Sequence, residues 1–431
     1  MWTVAMVCLL AITASADQQK IYLPSAMPRV DMHTHMDATN QYDKAVAAMD
    51  GWGGTLTITL NGLFWVKDNV GSNASPVSVR QIPTNDMVYV KEKLNNRILF
   101  VPGAFTIPSK GIWWNVDEIK TFKEQGFVGL KLWPHGKILS SKIKMIHEHL
   151  DEAGHQGMPL IGMHVGDPGS AKSNNVAFPK FEDDAVEVAK GHPQTTFIFA
   201  HGLFMLENDA GLDKLSGIFD KYPNVFVDLS YVHNMRQEEH YTVSKARDFY
   251  IKYKDRILFG TDVFGGGAKA EAFLKERKLL ETEEVTSGMH RGPALKGLNL
   301  PNDVLNHIYY WNSARLIPRV RQELEKHGFK IGYELGDFKF DRLPPDVTVN
   351  PLTLKAGGAD LTGTVGCVTE SLVIEIAGKC FDAIDNRDGT WKLPKEKLGA
   401  LPAGTYDVKV TAKNAIGLVR MDTTTNELIV R

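Results

Sequence analysis

Cysteine is nearly missing from this 431-residue chain, which carries only Cys8, Cys367 and Cys380. So few exclude a disulfide-knotted scaffold and any cysteine-rich metal centre. Excess charge is lacking too: 49 Lys and Arg against 51 Asp and Glu leave a formal −2, which gives no footprint for nucleic acid and selects no charged partner. Nor is there a long apolar run. The longest, residues 2–13 in MWTVAMVCLLAITASADQQ, is too short to span a bilayer comfortably, and Ala14-Ser15-Ala16 behind it has the small-residue form of a cleavage site. Residues 1–16 therefore read as an export signal, although no Lys or Arg stands near Met1. The mature protein is expected to be periplasmic or extracellular and to have no membrane span. Loss of the signal removes Cys8, leaving Cys367 and Cys380 either as a disulfide in an oxidising compartment or as two separate thiols.

What is present is a repeated grammar. Eight β-branched or apolar runs alternate with amphipathic segments: RVDMHTH (29–35), GTLTITLNG (54–62), RILFVPGAF (97–105), FVGLKLWP (127–134), MPLIGMHVG (158–166), TTFIFAHG (195–202), NVFVDLSYV (224–232) and RILFGTDV (256–263). Near-continuous apolar character is expected of parallel strands covered on both faces. The segments between them, such as NVDEIKTFKEQG and AGLDKLSGIFDKYP, carry helical spacing with Asn or Asp near the start and Gly or Pro near the end. No Gly-rich phosphate loop follows the first run, so a (β/α)8 TIM barrel fits the α/β pattern better than an open doubly wound sheet. The barrel is assigned to residues 17–343.

Past Pro344-Pro345 the pattern changes. LTGTV, SLVIEIAG, KCFDAID, TWKLP and GTYDVKVTAK are short alternating runs broken by Gly, Asn, Asp and Pro, the signature of a small all-β sandwich over residues 344–431. LTGTV, NRDGTWKLP and LPAGTYDVKVTAKNAIG resemble bacterial immunoglobulin-like (Ig-like) domains of exported proteins. That resemblance implies a spacer, a stabiliser or a docking surface, with no catalytic group of its own.

Side chains two apart on a strand share a face, so His33 and His35 project together from the end of the first strand and suit a shared metal. Alone, His-x-His is a weak signal. His164 ends strand five, His201 strand six and Asp262 strand eight, all at the carboxyl ends where barrels of this type build their sites. VDMHTHMD, GMHVG, FAHG, ILFGTDVF and YYWNSARLI together resemble the amidohydrolase superfamily, in particular the branch that includes aminocarboxymuconate semialdehyde decarboxylase and several lactonases. The likeness spans residues 29–320. It implies His33, His35 and Asp262 as metal ligands, with His164 completing a one-metal site or binding a second ion. His201 is then a further ligand or a catalytic partner of the attacking water. Lys131, in GFVGLKLWPHG, resembles the lysine that two-metal members carboxylate, and its alternative is an ammonium that binds a substrate carboxylate or Asp262.

The cofactor so implied is Zn2+ or another divalent ion, one or two per chain. The expected reaction is hydrolysis of an amide, lactone or ester in a small molecule, with Asp262 moving the proton. Two alternatives stand beside it: non-oxidative decarboxylation of a carboxylated aromatic or enoic acid, and an exported binding protein without activity. Trp133, His135 and Arg236 are the candidate substrate contacts among rim-loop residues that also include Trp65, Tyr231 and His233. After strand eight, Gly265-Gly266-Gly267 suits a lid hinge carrying His290 and Arg291, while the Glu- and Lys-rich middle of that connection reads as a solvated helix. His147, His149 and His155 read as surface residues of the fourth helix.

Overall fold

The structure is a computed structural model. It describes residues 27–36, 38–60, 84–106, 115–134, 139–163, 186–230, 241–265, 267, 269–287, 294–329, 331, 349–354, 358–365, 371–386, 390–398, 401–413, 419–422 and 424–431. These fall into two compact units, one within Pro28–Gly336 and one within Asp337–Arg431. Several sequence readings lie outside the described residues: the export signal, Trp65, His135, His164, Tyr231, His233, Arg236, Gly266, His290, Arg291, Pro344, Pro345 and Cys367.

In the larger unit the barrel strands are β1 (Val30–His35), β2 (Leu56–Leu60), β3 (Ile98–Val101), β4 (Gly103–Thr106), β5 (Lys131–Pro134), β6 (Leu160–Met163), β7 (Phe197–Phe199), β8 (Val225–Asp228), β9 (Ile257–Leu258) and β10 (Val263–Phe264), and a separate antiparallel pair joins Val285–Ser287 to Ala294–Lys296. Every ladder among the barrel strands is parallel. β3 and β4 form one strand interrupted at Pro102, which has no N–H to donate. β9 and β10 are likewise one path: β9 pairs with β8, Phe259 accepts from the Met32 N–H, and β10 pairs with β1. A parallel bridge between Leu130 and Leu160 joins β5 to β6. The hydrogen-bonded path thus returns to its start, giving a TIM-barrel-like α/β fold whose strands are apolar because both faces are covered.

Outside run α1 (Thr39–Trp52), α2 (Thr84–Lys93), α3 (Val116–Glu124), α4 (Leu139–Gln156), α5 (Asp209–Lys221), α6 (Val243–Lys252) and α7 (Ala270–Glu281). α3 starts on a capping box, Asn115 with Glu118, and α5 on Asn208, whose side chain accepts from the Gly211 N–H. These bonds satisfy amides that have no partner inside the helix. The closing helical region, Asn302–Leu316, contains a π-helical turn at His307–Trp311 that buries Ile308, Tyr309 and Tyr310.

Two expectations need correction. α7, read as a solvated helix, buries Phe273, Glu276, Arg277, Leu279, Leu280 and Glu281, and Phe273 stacks on Trp52 of α1 at 5.1 Å. Arg277 and Glu281 can be buried because they pair with each other at 2.8 Å. Of the fourth-helix histidines only His155 is largely exposed, since His147 is half-buried and meets the buried His192 at 2.6 Å.

Among its described residues the C-terminal unit is all-β apart from a short helical turn at Lys395–Leu398. Its sheets are Lys379–Asp382, Ser371–Ile376, Val408–Lys413 and Val419–Met421; Leu361–Thr364, Thr390–Leu393 and Ile384–Asp385; and Leu352–Leu354, Leu428–Val430 and Gly404–Tyr406. The first two are antiparallel, and the third mixes one parallel pair with one antiparallel pair. Trp391, Ile374, Ile376, Leu393, Val410 and Leu428 form its core. Cys380 is disulfide-bonded.

Candidate metal centre

His33 and His35 reach the barrel axis through an irregularity in β1. Asp31 pairs with Thr57 and Thr34 with Thr59, so Met32 and His33 stand opposite the single residue Ile58. Such a bulge shifts the alternation of faces by one residue. Asp31 and Thr34 line a gap against Met49 of α1 and Phe273 of α7, while the two imidazoles face inward. The Asp31 carboxyl accepts from the His33 and Thr261 N–H groups at 3.1 Å and from the Thr261 hydroxyl at 2.6 Å, and burial pushes it up to about 7.

Inside the barrel three donor atoms converge. His33 Nε2 lies 3.2 Å from His35 Nε2, and Asp262 Oδ1 lies 3.3 Å and 3.1 Å from them respectively. The far nitrogens are tied back: His33 Nδ1 donates to Asp228 Oδ2 at 2.9 Å, and His35 Nδ1 to the Leu60 carbonyl at 3.0 Å. Both imidazoles therefore turn an Nε2 lone pair toward the carboxylate. Burial would raise Asp262, but the imidazoles of His35, His33 and His201 around it hold it well below the carboxylate range. Burial first, then Lys131, takes His35 down to about 3, so its ring is neutral.

Three acceptors facing one point repel each other unless a cation lies between them. Adjacent ligands of tetrahedral zinc stand about 3.3–3.4 Å apart at ordinary Zn–N and Zn–O lengths, close to the separations of these atoms. The residues fit a divalent ion, and among the described residues they are the group with metal-ligand spacing.

The second rank is also buried. Lys131, 2% exposed at the start of β5, places Nζ 3.4 Å from His33 Nε2, and burial lowers its ammonium to about 8 despite Asp262 and Asp228. Gly162 packs beside it, and the space a Cβ would need there is taken by Leu60, whose Cδ1 would stand 2.4 Å away. His201 lies 5.3 Å from the His33 ring, nearly parallel to it, and donates from Nδ1 to the Ser230 carbonyl at 2.9 Å. It opens a left-handed stretch, with φ of +58° at His201, and Asp262 has the same φ. Non-glycine residues held in that region cluster at functional sites. Burial lowers His201, favouring its neutral form.

The structure thus brings together His33, His35, Lys131, His201 and Asp262. His164 lies outside the described residues, as do His135 and Arg236, and Trp133 is described as the backbone of β5. Sequence reading passed over Asp228. The signal was available, since VFVDLSY ends its apolar run on a carboxylate at the carboxyl end of a strand. It also missed Phe264, which is 60% exposed and stacks on His35 at 4.4 Å.

The amidohydrolase family profile matches residues 30–319 of the 431. No curated protein matches the chain. Solved structures similar to it include a probable 2-pyrone-4,6-dicarboxylic acid hydrolase from Acinetobacter baumannii, 12% identical with a TM-score of 0.43, covering 67% of this chain and 98% of that one. An amidohydrolase from Burkholderia multivorans, solved with zinc, is 12% identical with a TM-score of 0.39 over the same shares. Another, from Bifidobacterium longum subsp. infantis, is 12% identical with a TM-score of 0.34, over 55% of this chain and 84% of that one. With the family profile matched across the barrel and its histidine pair and aspartate converging on one point, the chain belongs to the amidohydrolase family.

Proposed function

We propose that this protein is a metal-dependent hydrolase that cleaves an amide, lactone or ester bond in a small molecule. The observation that carries the reading is the convergence of His33 Nε2, His35 Nε2 and Asp262 Oδ1 within 3.3 Å of one another, with both remaining histidine nitrogens held by acceptors. His33, His35 and Asp262 would hold the ion, with His164 and His201 as the further candidates. A divalent cation there supplies Lewis-acid polarisation of a carbonyl and makes water a stronger acid.

The protein's own groups supply the rest. Asp262, held ionised, accepts the proton of the attacking water and returns it to the leaving group. His201, neutral and fixed at Nδ1, presents Nε2 as a hydrogen-bonding partner for water or for the substrate oxygen. Lys131, lowered to about 8, has a neutral fraction at neutral pH. A neutral amine adds carbon dioxide and loses a proton to give a carbamate, the form in which this residue would join a two-ion site.

The test is metal analysis of purified protein, wild type and Lys131→Ala, followed by assay on amide, lactone and carboxylated aromatic panels. Bound metal with hydrolysis supports the proposal. Carbon dioxide release without hydrolysis replaces it with decarboxylation, and absence of tightly bound metal replaces it with a binding role. Two ions per chain falling to one or none in Lys131→Ala supports the carbamate.

Residues 1–16 serve as an export signal, and the disulfide at Cys380 fits an oxidising compartment; N-terminal sequencing of the exported protein checks the cleavage. The C-terminal unit is an Ig-like sandwich, supported by fully buried Trp391 and by the Tyr406 hydroxyl, which donates to the Pro402 carbonyl at 2.8 Å in the manner of a tyrosine corner.

A further inference from the structure

We propose that Asp228 is a positioning residue whose single buried carboxylate fixes the His33 ring and the His201 backbone, and thereby sets how tightly the centre holds a divalent ion. The inference rests on the metal reading above. It is carried by connections that neither a ligand nor a packing residue requires.

Asp228 ends β8 and is fully buried. Its two oxygens divide their work. Oδ2 accepts from His33 Nδ1 at 2.9 Å. Oδ1 accepts from the His201 N–H at 3.1 Å, the Ser230 N–H at 3.0 Å and the Ser230 hydroxyl. That hydroxyl in turn lies 2.9 Å from His33 Nδ1 and 3.0 Å from His201 Nδ1. One carboxylate therefore ties the ends of three strands, β1, β7 and β8.

Each tie has a consequence at the centre. The bond to Nδ1 selects the tautomer of His33 whose Nε2 lone pair faces Asp262, and it fixes the orientation of the ring. The bond to the His201 amide helps hold a non-glycine residue at φ +58°, ψ +31°, a conformation unfavourable without such support. Room for the arrangement comes from Gly260, where a Cβ would stand 3.1 Å from His33 Cβ and 3.4 Å from Asp228 Cβ. Any larger residue there would push the histidine and the carboxylate apart.

The experiment titrates Zn2+ into metal-stripped full-length protein, wild type and Asp228→Asn, against a chromophoric chelator. It also records the thermal midpoint of each metal-free form. Replacement of an outer partner of a metal-binding histidine costs about 10–100-fold in affinity, and a rise of that size in the Zn2+ Kd is the expected result. A Kd within about twofold of wild type, whatever the thermal midpoint does, overturns the inference, because a purely structural carboxylate would move the midpoint alone. If Asp228→Asn does not fold, Ser230→Ala tests the same link with the carboxylate kept. A Kd raised about threefold or more supports the inference, and an unchanged Kd overturns it. Wild-type protein that binds no Zn2+ fails the metal reading itself and overturns this inference with it, an outcome distinct from a variant that merely matches wild type.

Discussion

The two ends of the barrel both bury charge, and they use it in opposite ways. At the amino-terminal end Arg29, Arg277 and Glu281 are fully buried. Arg277 grips Glu281 with two nitrogens at 2.8 and 3.1 Å and donates to the Trp52 carbonyl at 2.8 Å. The Tyr309 hydroxyl donates to the same carboxylate at 2.9 Å, Arg29 approaches it at 3.6 Å, and the Arg29 guanidinium lies over the Tyr309 ring. The Glu281 carboxylate there is surrounded by donors, so its charge is used in closing the fold. At the carboxyl end two imidazole lone pairs and a carboxylate are aimed at one another. That arrangement is costly by itself and useful to an incoming cation. Complementary partners close the first cluster, whereas the second leaves acceptors converging where a cation would satisfy them.

The largest effect expected from breaking this contrast is at the carboxyl end. On the proposed metal reading, Asp262→Asn removes a ligand charge and with it several kcal/mol of transition-state stabilisation, so turnover should fall on the order of a thousandfold or more. Thermal stability should shift by about 1 kcal/mol or less, because Asn tolerates the left-handed backbone; steady-state assay and calorimetry check the pair. Glu281→Ala is the converse. It leaves two guanidiniums buried without their carboxylate and should cost about 3–5 kcal/mol in denaturant unfolding, while Zn2+ affinity of the folded fraction stays at the wild-type value. Tyr309→Phe removes one hydrogen bond to that carboxylate and should cost about 1.5–3 kcal/mol, again with the metal site unaffected. Gly162→Ala is expected to blur the contrast. Its φ of +62° costs an alanine about 1–2 kcal/mol, and its methyl group would meet Leu60 Cδ1 at 2.4 Å in the wall beside His33 and Lys131, so both unfolding and Zn2+ titration should register it.

How much of this was legible in the sequence depended on distance along the chain. His33, His35, His201 and Asp262 could be placed together because each closes an apolar run, and a parallel barrel brings all such ends to one rim. The face of the histidines needed only the two-residue period of a strand. Asp31 obeys the same period yet faces outward, because a bulge intervenes that nothing in VDMHTH announces. α7 was misread for a related reason. AEAFLKERKLLE is rich in charge, and charge reads as solvent until the partner of each ion is known. Arg277 and Glu281 pair within one helix, but Arg29 and Tyr309 reach them from distant parts of the chain.

The sequence by itself determined the repeated strand-helix order, the family and the residue types at the strand ends. Those follow from local periodicity and from residues that few other chemistries need. Only the tertiary structure decided the hydrogen-bond partner of each histidine nitrogen, and hence that His33 is governed by Asp228. The physical reason is that an imidazole's role is set by which nitrogen carries its proton. That choice belongs to an acceptor brought in by folding from 195 residues away.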